Sequence, residues 1–173
     1  TKDLNGEEPD KKDEMICTVD DNQILDDELN QMLVKDLPAG VKLRCLFDSC
    51  HSGSVLDLPY SWNFLDCAKL ENEQMVGTEK DCMMISGCRD PQTSADAWIS
   101  GDAKYQGAMT WGFLKSLNEA KLIDVQTYDA EKKKVSWKKV LINMRTHLKN
   151  GGYEQIPQWA FCYKKQIKQL FDL

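Results

Sequence analysis

The stretch FDSCHSGS, residues 47–54, sets Cys50 beside His51 and follows them with Ser52, Gly53 and Ser54, directly after the apolar run VKLRCLF. A thiol attacks a peptide carbonyl as thiolate, so a catalytic cysteine needs partial exposure and a nearby base or positive field. A cysteine at a strand end, followed by small residues that let a substrate backbone approach, meets the geometric half of that need. Its own amide can help hold an oxyanion. The plain alternative is an ordinary cysteine in a polar turn, and this stretch alone leaves both open. His51 is not the expected base, because neighbours on extended backbone point to opposite faces.

The elements that must position such a thiol are read from periodicity. MICTV (15–19) reads as a short buried strand. ILDDELNQMLVKDLPAG follows as a helix that Asp26 or Asp27 can cap, with Leu29, Met32, Leu33 and Leu37 on one face and Pro38 and Gly40 stopping it. VKLRCLF (41–47) reads as a buried parallel strand. Together they predict a β-α-β unit with the cysteine motif at the carboxyl end of its second strand, where open α/β sheets place their chemistry. Pro59 to Lys80 reads as an excursion or loop, DCMMISGC (81–88) as a strand, and SGCRDPQTSAD as a turn-rich loop. YQGAMTWGFLKSLNEA predicts a helix with Met109, Phe113 and Leu117 stacked, despite Gly107 and Gly112. SWKKVLINMRTHLKN predicts a stronger one, with Trp137, Val140, Leu141, Met144 and Leu148 in a stripe and Gly151-Gly152 at its end. QWAFCYK reads as a last, outer strand. The expected class is α/β, a mostly parallel sheet flanked by helices.

Composition bounds the function. At 173 residues, 42% hydrophobic and 29% charged, the chain can bury one core. It carries 22 basic and 28 acidic residues, net charge −6, and its one dense basic run, EKKKVSWKK, has Asp129 and Glu131 beside it. That argues against nucleic acid or an anionic membrane as the main partner. No stretch approaches a membrane span and TKDLNGEEPDKKDE is too acidic for a targeting peptide, so a soluble, cytoplasmic protein is expected. The seven cysteines are odd in number and irregularly spaced, which favours reduced thiols. With no C-x-x-C, and His51 and His147 the only histidines, a zinc site is not expected. Asp10, Asp13, Asp20, Asp21, Asp26, Asp27 and Asp57 are either solvated acids and a helix N-terminus, or hard oxygen ligands converging on calcium without an EF-hand.

LRCLFDSCHSGSVLDLPY, with QILDDELNQMLVKDLPAGV upstream and MISGCRDPQTSADAWISGDAKYQGAMTWGFL and QIPQ downstream, resembles the type I metacaspases from about Lys2 to Trp159. The resemblance implies a caspase-haemoglobinase fold, a Cys-His dyad, calcium dependence and cleavage after Arg or Lys. It implies one structural domain made of a large-subunit part (1–58), a connecting loop (59–80) and a small-subunit part (81–173). Within it Cys50 matches the nucleophile, and Asp48 matches an acid on the floor of the primary specificity pocket. Two residues before Cys50 on extended backbone, Asp48 points to the same side, and a buried carboxylate there would pair with a basic side chain and reject an acidic one. The plain alternative for Asp48 is a helix cap or turn aspartate. Ser94 and Asp96 match the loop bordering the substrate cleft, and Asp10, Asp26, Asp27 and Asp57 match the calcium ligands. The resemblance makes the 59–80 segment the usual place for self-cleavage, where Lys69 and Lys80 are the basic positions on offer; the plain alternative is an uncut surface loop.

The family's catalytic histidine, in an SGHG-type motif, falls a few residues upstream of Thr1, and His147, on a helix beside Met144 and Leu148, reads as structural. The expectation is therefore the cysteine-bearing portion of a calcium-dependent endopeptidase. It would act on peptides or proteins with a basic residue before the cut, take its histidine from an N-terminal fragment, and work as a monomer. The alternative is a caspase-like pseudoenzyme or interaction module.

Overall fold

The computed structural model describes residues 14–49, 52–63, 67–70, 80–87, 96–99, 104–120 and 135–169. The first element is a hairpin: β1 (Met15–Cys17) pairs antiparallel with β2 (Gln23–Leu25), Met15 opposite Leu25. Its turn explains two of the acids. The Thr18 hydroxyl and the Asn22 amide both donate to the Asp20 carboxylate, and the Thr18 bond is the main cause that holds that carboxyl below its ordinary range. Asp21 supplies the left-handed backbone, φ 59°. The MICTV strand therefore closes a small separate ribbon rather than entering the main sheet, and the predicted β-α-β unit does not form from it.

Helix α1 (Asp26–Asn30) starts after Leu25 with no side-chain cap, and it continues as a π-helical turn over Gln31–Lys35. The wider turn, closed by Asp36 N donating to Gln31 O at 3.1 Å, rotates the apolar stripe. Leu29 and Leu37 stay buried as expected, but Val34 takes an inward place at 0% exposure while Met32 turns out at 57%.

The main sheet has the order β3-β6-β9-β4-β5, built from β3 (Lys42–Phe47), β4 (Tyr60–Asn63), β5 (Cys67–Leu70), β6 (Asp81–Ser86) and β9 (Gln158–Phe161). β3 and β6 are parallel, in register from Lys42 opposite Asp81 to Phe47 opposite Ser86. The β6–β9, β9–β4 and β4–β5 pairs are antiparallel. The α/β class holds, with a mixed sheet in place of a mostly parallel one. Two segments account for the difference. Residues 59–80, expected as a connecting loop, supply β4 and β5, whose period-two pattern is too short to stand out: Tyr60 and Trp62 are buried, with the less buried Ser61 between them. QWAFCYK, expected at the outside, inserts between β6 and β4, and its full burial at Trp159 and Phe161 fits a central strand.

β7 (Asp96–Ile99) and β8 (Lys104–Gly107) make a second hairpin that runs directly into α2 (Ala108–Glu119). Helix α3 (Trp137–Asn150) begins where the Ser136 side chain accepts from Lys139 N at 3.2 Å, and it ends at Gly151 and Gly152, the latter at φ 80°. Its predicted stripe is buried throughout. Gly112 faces Leu148 and Met144 of α3, where a Cβ would make ordinary van der Waals contact, 3.4 Å from Leu148 Cγ and 3.5 Å from the Met144 carbonyl oxygen.

Each face of the sheet is covered. On one, Met109, Phe113 and Leu117 of α2 and Trp137, Leu141 and Met144 of α3 pack on Met83, Ile85, Trp159 and Phe161. On the other, Leu29, Val34 and Leu37 join Val55, Leu56 and Leu58 over Cys82, Met84, Ala160 and Cys162. β6 is thus buried on both sides, which is why it reads as a continuous apolar run. The described helices include none long and apolar enough to cross a membrane.

Candidate active site

Parallel pairing ends β3 and β6 at the same level, and Gly87 N donates to Phe47 O at 2.8 Å to lock the two carboxyl ends together. The loop that leaves β3 carries the DSCHSG motif. Cys50 and His51 lie outside the described residues, but both flanks are fixed. On the far flank Ser52 is 1% exposed, and its hydroxyl donates to Ser49 O at 2.9 Å, which ties the two flanks to each other. Gln155, buried before β9, donates to Gly87 O at 3.3 Å and ties that segment to the same end of the sheet.

On the near flank is Asp48. Its Oδ2 accepts from Thr110 N at 3.0 Å and from Thr110 Oγ1 at 2.7 Å. Thr110 lies in the first turn of α2, where backbone N–H groups lack intrahelical partners, and the helix has no side-chain cap of its own because Gly107 stands at that position. Asp48 therefore caps α2 from another element. Gly107 is required for the approach: a Cβ there would fall 1.8 Å from Asp48 Oδ2. The Asp96 backbone faces this same point, pairing with Gly107 at the mouth of the β7–β8 hairpin. Ser94 lies outside the described residues.

The acid set divides. Asp10 is outside the described residues. Asp26 is 2% exposed, and its carboxylate accepts from Glu14 N at 2.5 Å through Oδ2 and from Asp27 N at 2.8 Å through Oδ1. Asp57 is 7% exposed and sits at φ 46°, immediately after Leu56, whose carbonyl accepts from Asn30 Nδ2 at 2.7 Å. Ser54 Oγ donates to Glu14 Oε2 at 2.8 Å, so Glu14 links the β1–β2 hairpin to the loop after β3. The buried carboxylates thus border one junction. Yet no group of three or more His, Cys, Asp or Glu side chains among the described residues is arranged to hold a metal ion, so Asp26, Asp27 and Asp57 do not make a cation cage by themselves.

Of the two basic positions considered for self-cleavage, Lys69 is within β5, its backbone opposite Ser61. Lys80 directly precedes β6, and its ammonium donates to Leu37 O at 2.5 Å. His147 bridges two helices, with Nε2 2.9 Å from Glu119 Oε2 and the Trp111 ring against it edge-on. It is a packing residue, as its position beside the apolar stripe suggests.

Three residues here carry no signal of a part in the site in the sequence: Thr110, Gly107 and Glu14. Thr110 reads only as a polar residue in the first turn of a helix, and nothing in one sequence pairs position 110 with position 48.

The profile of the metacaspase, peptidase C14 domain family matches residues 1–59. Metacaspase-1 of Meyerozyma guilliermondii is 33% identical over 99% of this chain and 50% of its own length. Metacaspase-1 of Yarrowia lipolytica is 34% identical over 98% of this chain and 44% of its own. The chain spans about half the length of these curated relatives. With the DSCHSG motif following a strand of the β3–β6 parallel pair, and likeness running through nearly all of its residues, the chain belongs to the metacaspases, the caspase-like C14 family.

Proposed function

We propose that this chain is the cysteine-bearing portion of an endopeptidase that cuts after arginine or lysine. The observation that carries the reading is the position of Asp48, fixed at the end of β3 two residues before Cys50 and held by the first turn of α2. In this reading Cys50, as thiolate, attacks the scissile carbonyl carbon, and the Cys50 amide donates to the oxygen that takes up the negative charge. A histidine accepts the thiol proton and returns it to the departing amine. Water then hydrolyses the thioester and frees the cysteine. Asp48 receives the basic side chain before the cut, and Ser94 and Asp96 border the cleft.

The histidine comes from a segment upstream of Thr1. β3 is an edge of the five-stranded sheet among the described residues, with Leu46 37% exposed, and this supports a further strand pairing there. Such a strand, parallel to β3, would deliver its carboxyl end beside Cys50. Asp10, Asp26, Asp27 and Asp57 would together hold calcium, which would supply the positive charge that offsets these carboxylates. Its substrates are peptides and proteins with a basic residue at the cut, and it works as a monomer.

The test is hydrolysis of peptides ending in a reporter after Arg, Lys or Asp by the full-length protein, with calcium and with a chelator. Calcium-dependent turnover of the Arg and Lys peptides, lost in Cys50→Ala, is the expected result. Turnover of the Asp peptide alone would overturn the specificity. No turnover by a chain that carries the upstream histidine would replace the reading with that of a caspase-like pseudoenzyme.

A further inference from the structure

We infer that Thr110 is a specificity-setting positioning residue: from the first turn of α2 it fixes the Asp48 carboxylate in the orientation that receives a guanidinium. The inference rests on the proposed role of Asp48 and adds what sets that role.

Two donors of one residue, the amide at 3.0 Å and the hydroxyl at 2.7 Å, converge on one oxygen of Asp48. An amide alone would leave the carboxylate able to swing about a single bond. A second donor from a different direction removes that freedom, because hydrogen bonds weaken steeply away from their preferred angles. Gly107 closes the third side, where even a methyl group would collide with Asp48 Cγ at 2.5 Å and Oδ2 at 1.8 Å. The acid is thus held between a helix start and a hairpin end, and its placement at the end of β3 is set by α2 together with that hairpin.

Holding the plane of a carboxylate matters unequally for the two basic side chains. A guanidinium is a rigid planar fork that pairs best with a carboxylate of matching orientation, whereas an ammonium is a point charge with rotatable donors. Loosening Asp48 should therefore cost arginine more than lysine.

The experiment compares Thr110→Val, Thr110→Ser and Asp48→Asn in the full-length protein, measuring kcat and KM on matched Arg and Lys peptides alongside the melting temperature. Thr110→Val keeps the backbone amide and removes the hydroxyl. It is expected to lower kcat/KM on the Arg peptide about tenfold, the scale of one hydrogen bond to a charged group, mainly through KM. The Lys peptide loses less, so the Arg-to-Lys ratio falls, and Thr110→Ser restores it. A Thr110→Val protein that melts lower yet keeps the wild-type ratio and KM would overturn the inference, leaving Thr110 as a helix-cap partner only. Should Asp48→Asn itself retain Arg hydrolysis, the proposed role of Asp48 fails and the inference goes with it. Loss in Asp48→Asn with an unchanged ratio in Thr110→Val sinks the inference alone.

Discussion

Glu14 and Ser54, 40 positions apart, are joined by a hydrogen bond of 2.8 Å from the serine hydroxyl to glutamate Oε2. Glu14 also exchanges backbone bonds with Asp26, donating to its carboxylate and accepting from its amide at 3.2 Å. Ser54 O in turn accepts from Asp57 N at 2.6 Å. The acidic hairpin and the loop that follows β3 are therefore one hydrogen-bonded unit, and a change at Asp26 or Asp57 has a direct route to Ser54.

Cutting that unit at Ser54 should disturb catalysis more than substrate capture. Ser54→Ala removes the bond to Glu14 but none of the groups proposed to touch substrate, so kcat is expected to fall several-fold, the worth of about 1 kcal/mol, with KM nearly unchanged. Steady-state kinetics on an Arg peptide checks this. A rise in KM at constant kcat would mean that the bond serves the cleft instead.

The backbone conformation at Asp57 dictates how its charge must be tested. At φ 46°, Asp57 occupies the left-handed region, which Asn tolerates and Ala does not. Asp57→Asn therefore removes the charge while keeping the turn. If Asp57 is a calcium ligand, this variant needs a higher calcium concentration for half-maximal activity and melts near the wild type without calcium. An unchanged calcium requirement would remove Asp57 from the ligand set.

Away from the site, Arg44 is 8% exposed and lies 3.0 Å from Asp81, which also accepts from Gln166 Nε2 at 3.2 Å. Arg44 further donates to Leu43 O at 3.0 Å and Asp81 O at 2.9 Å, so its guanidinium is built into the β3–β6 seam. Removing the anion takes an ion-pair partner from a largely buried cation. Asp81→Ala is expected to destabilise by about 2–3 kcal/mol, below the range for a fully buried pair because Asp81 is 25% exposed. Urea unfolding reads this as a lower midpoint at constant slope.

Much of this architecture is legible along the chain. The α3 stripe, the β6 run and the placement of DSCHSG after a strand follow from periods that burial imposes over many residues. What escapes the sequence is decided by partners far away in it. β4 and β5 are strands because β9 offers an edge to pair with, and a π turn exchanges Met32 for Val34 without altering composition. Asp48 shows the limit at the site itself: the residue that anchors it, Thr110, is known only once α2 is brought to the end of β3.

The sheet carries a second set of thiols that will complicate any labelling of Cys50. Cys45, Cys82 and Cys162 belong to one apolar cluster on adjoining strands, and Cys82 and Cys162 are almost wholly buried. A hydrogen bond from the Cys82 thiol pushes the Cys45 thiol below its ordinary range, against the opposing effect of burial and with help from Arg44. Cys82 is pushed up, first by its hydrogen bond with Cys162 and then by the one with Cys45, and stays protonated. Alkylation is governed by thiolate fraction and access together. Iodoacetamide on the native protein should therefore modify exposed Cys17 and partly exposed Cys45 well before Cys82 and Cys162, which should react only after unfolding. Peptide mapping by mass spectrometry over time gives the order directly. Loss of activity on alkylation then identifies the nucleophile only in a background where Cys17, Cys45, Cys67 and Cys88 are all replaced by Ser. Early labelling of Cys82 in the native protein would instead mean that the β3–β6–β9 seam opens on the timescale of the reaction.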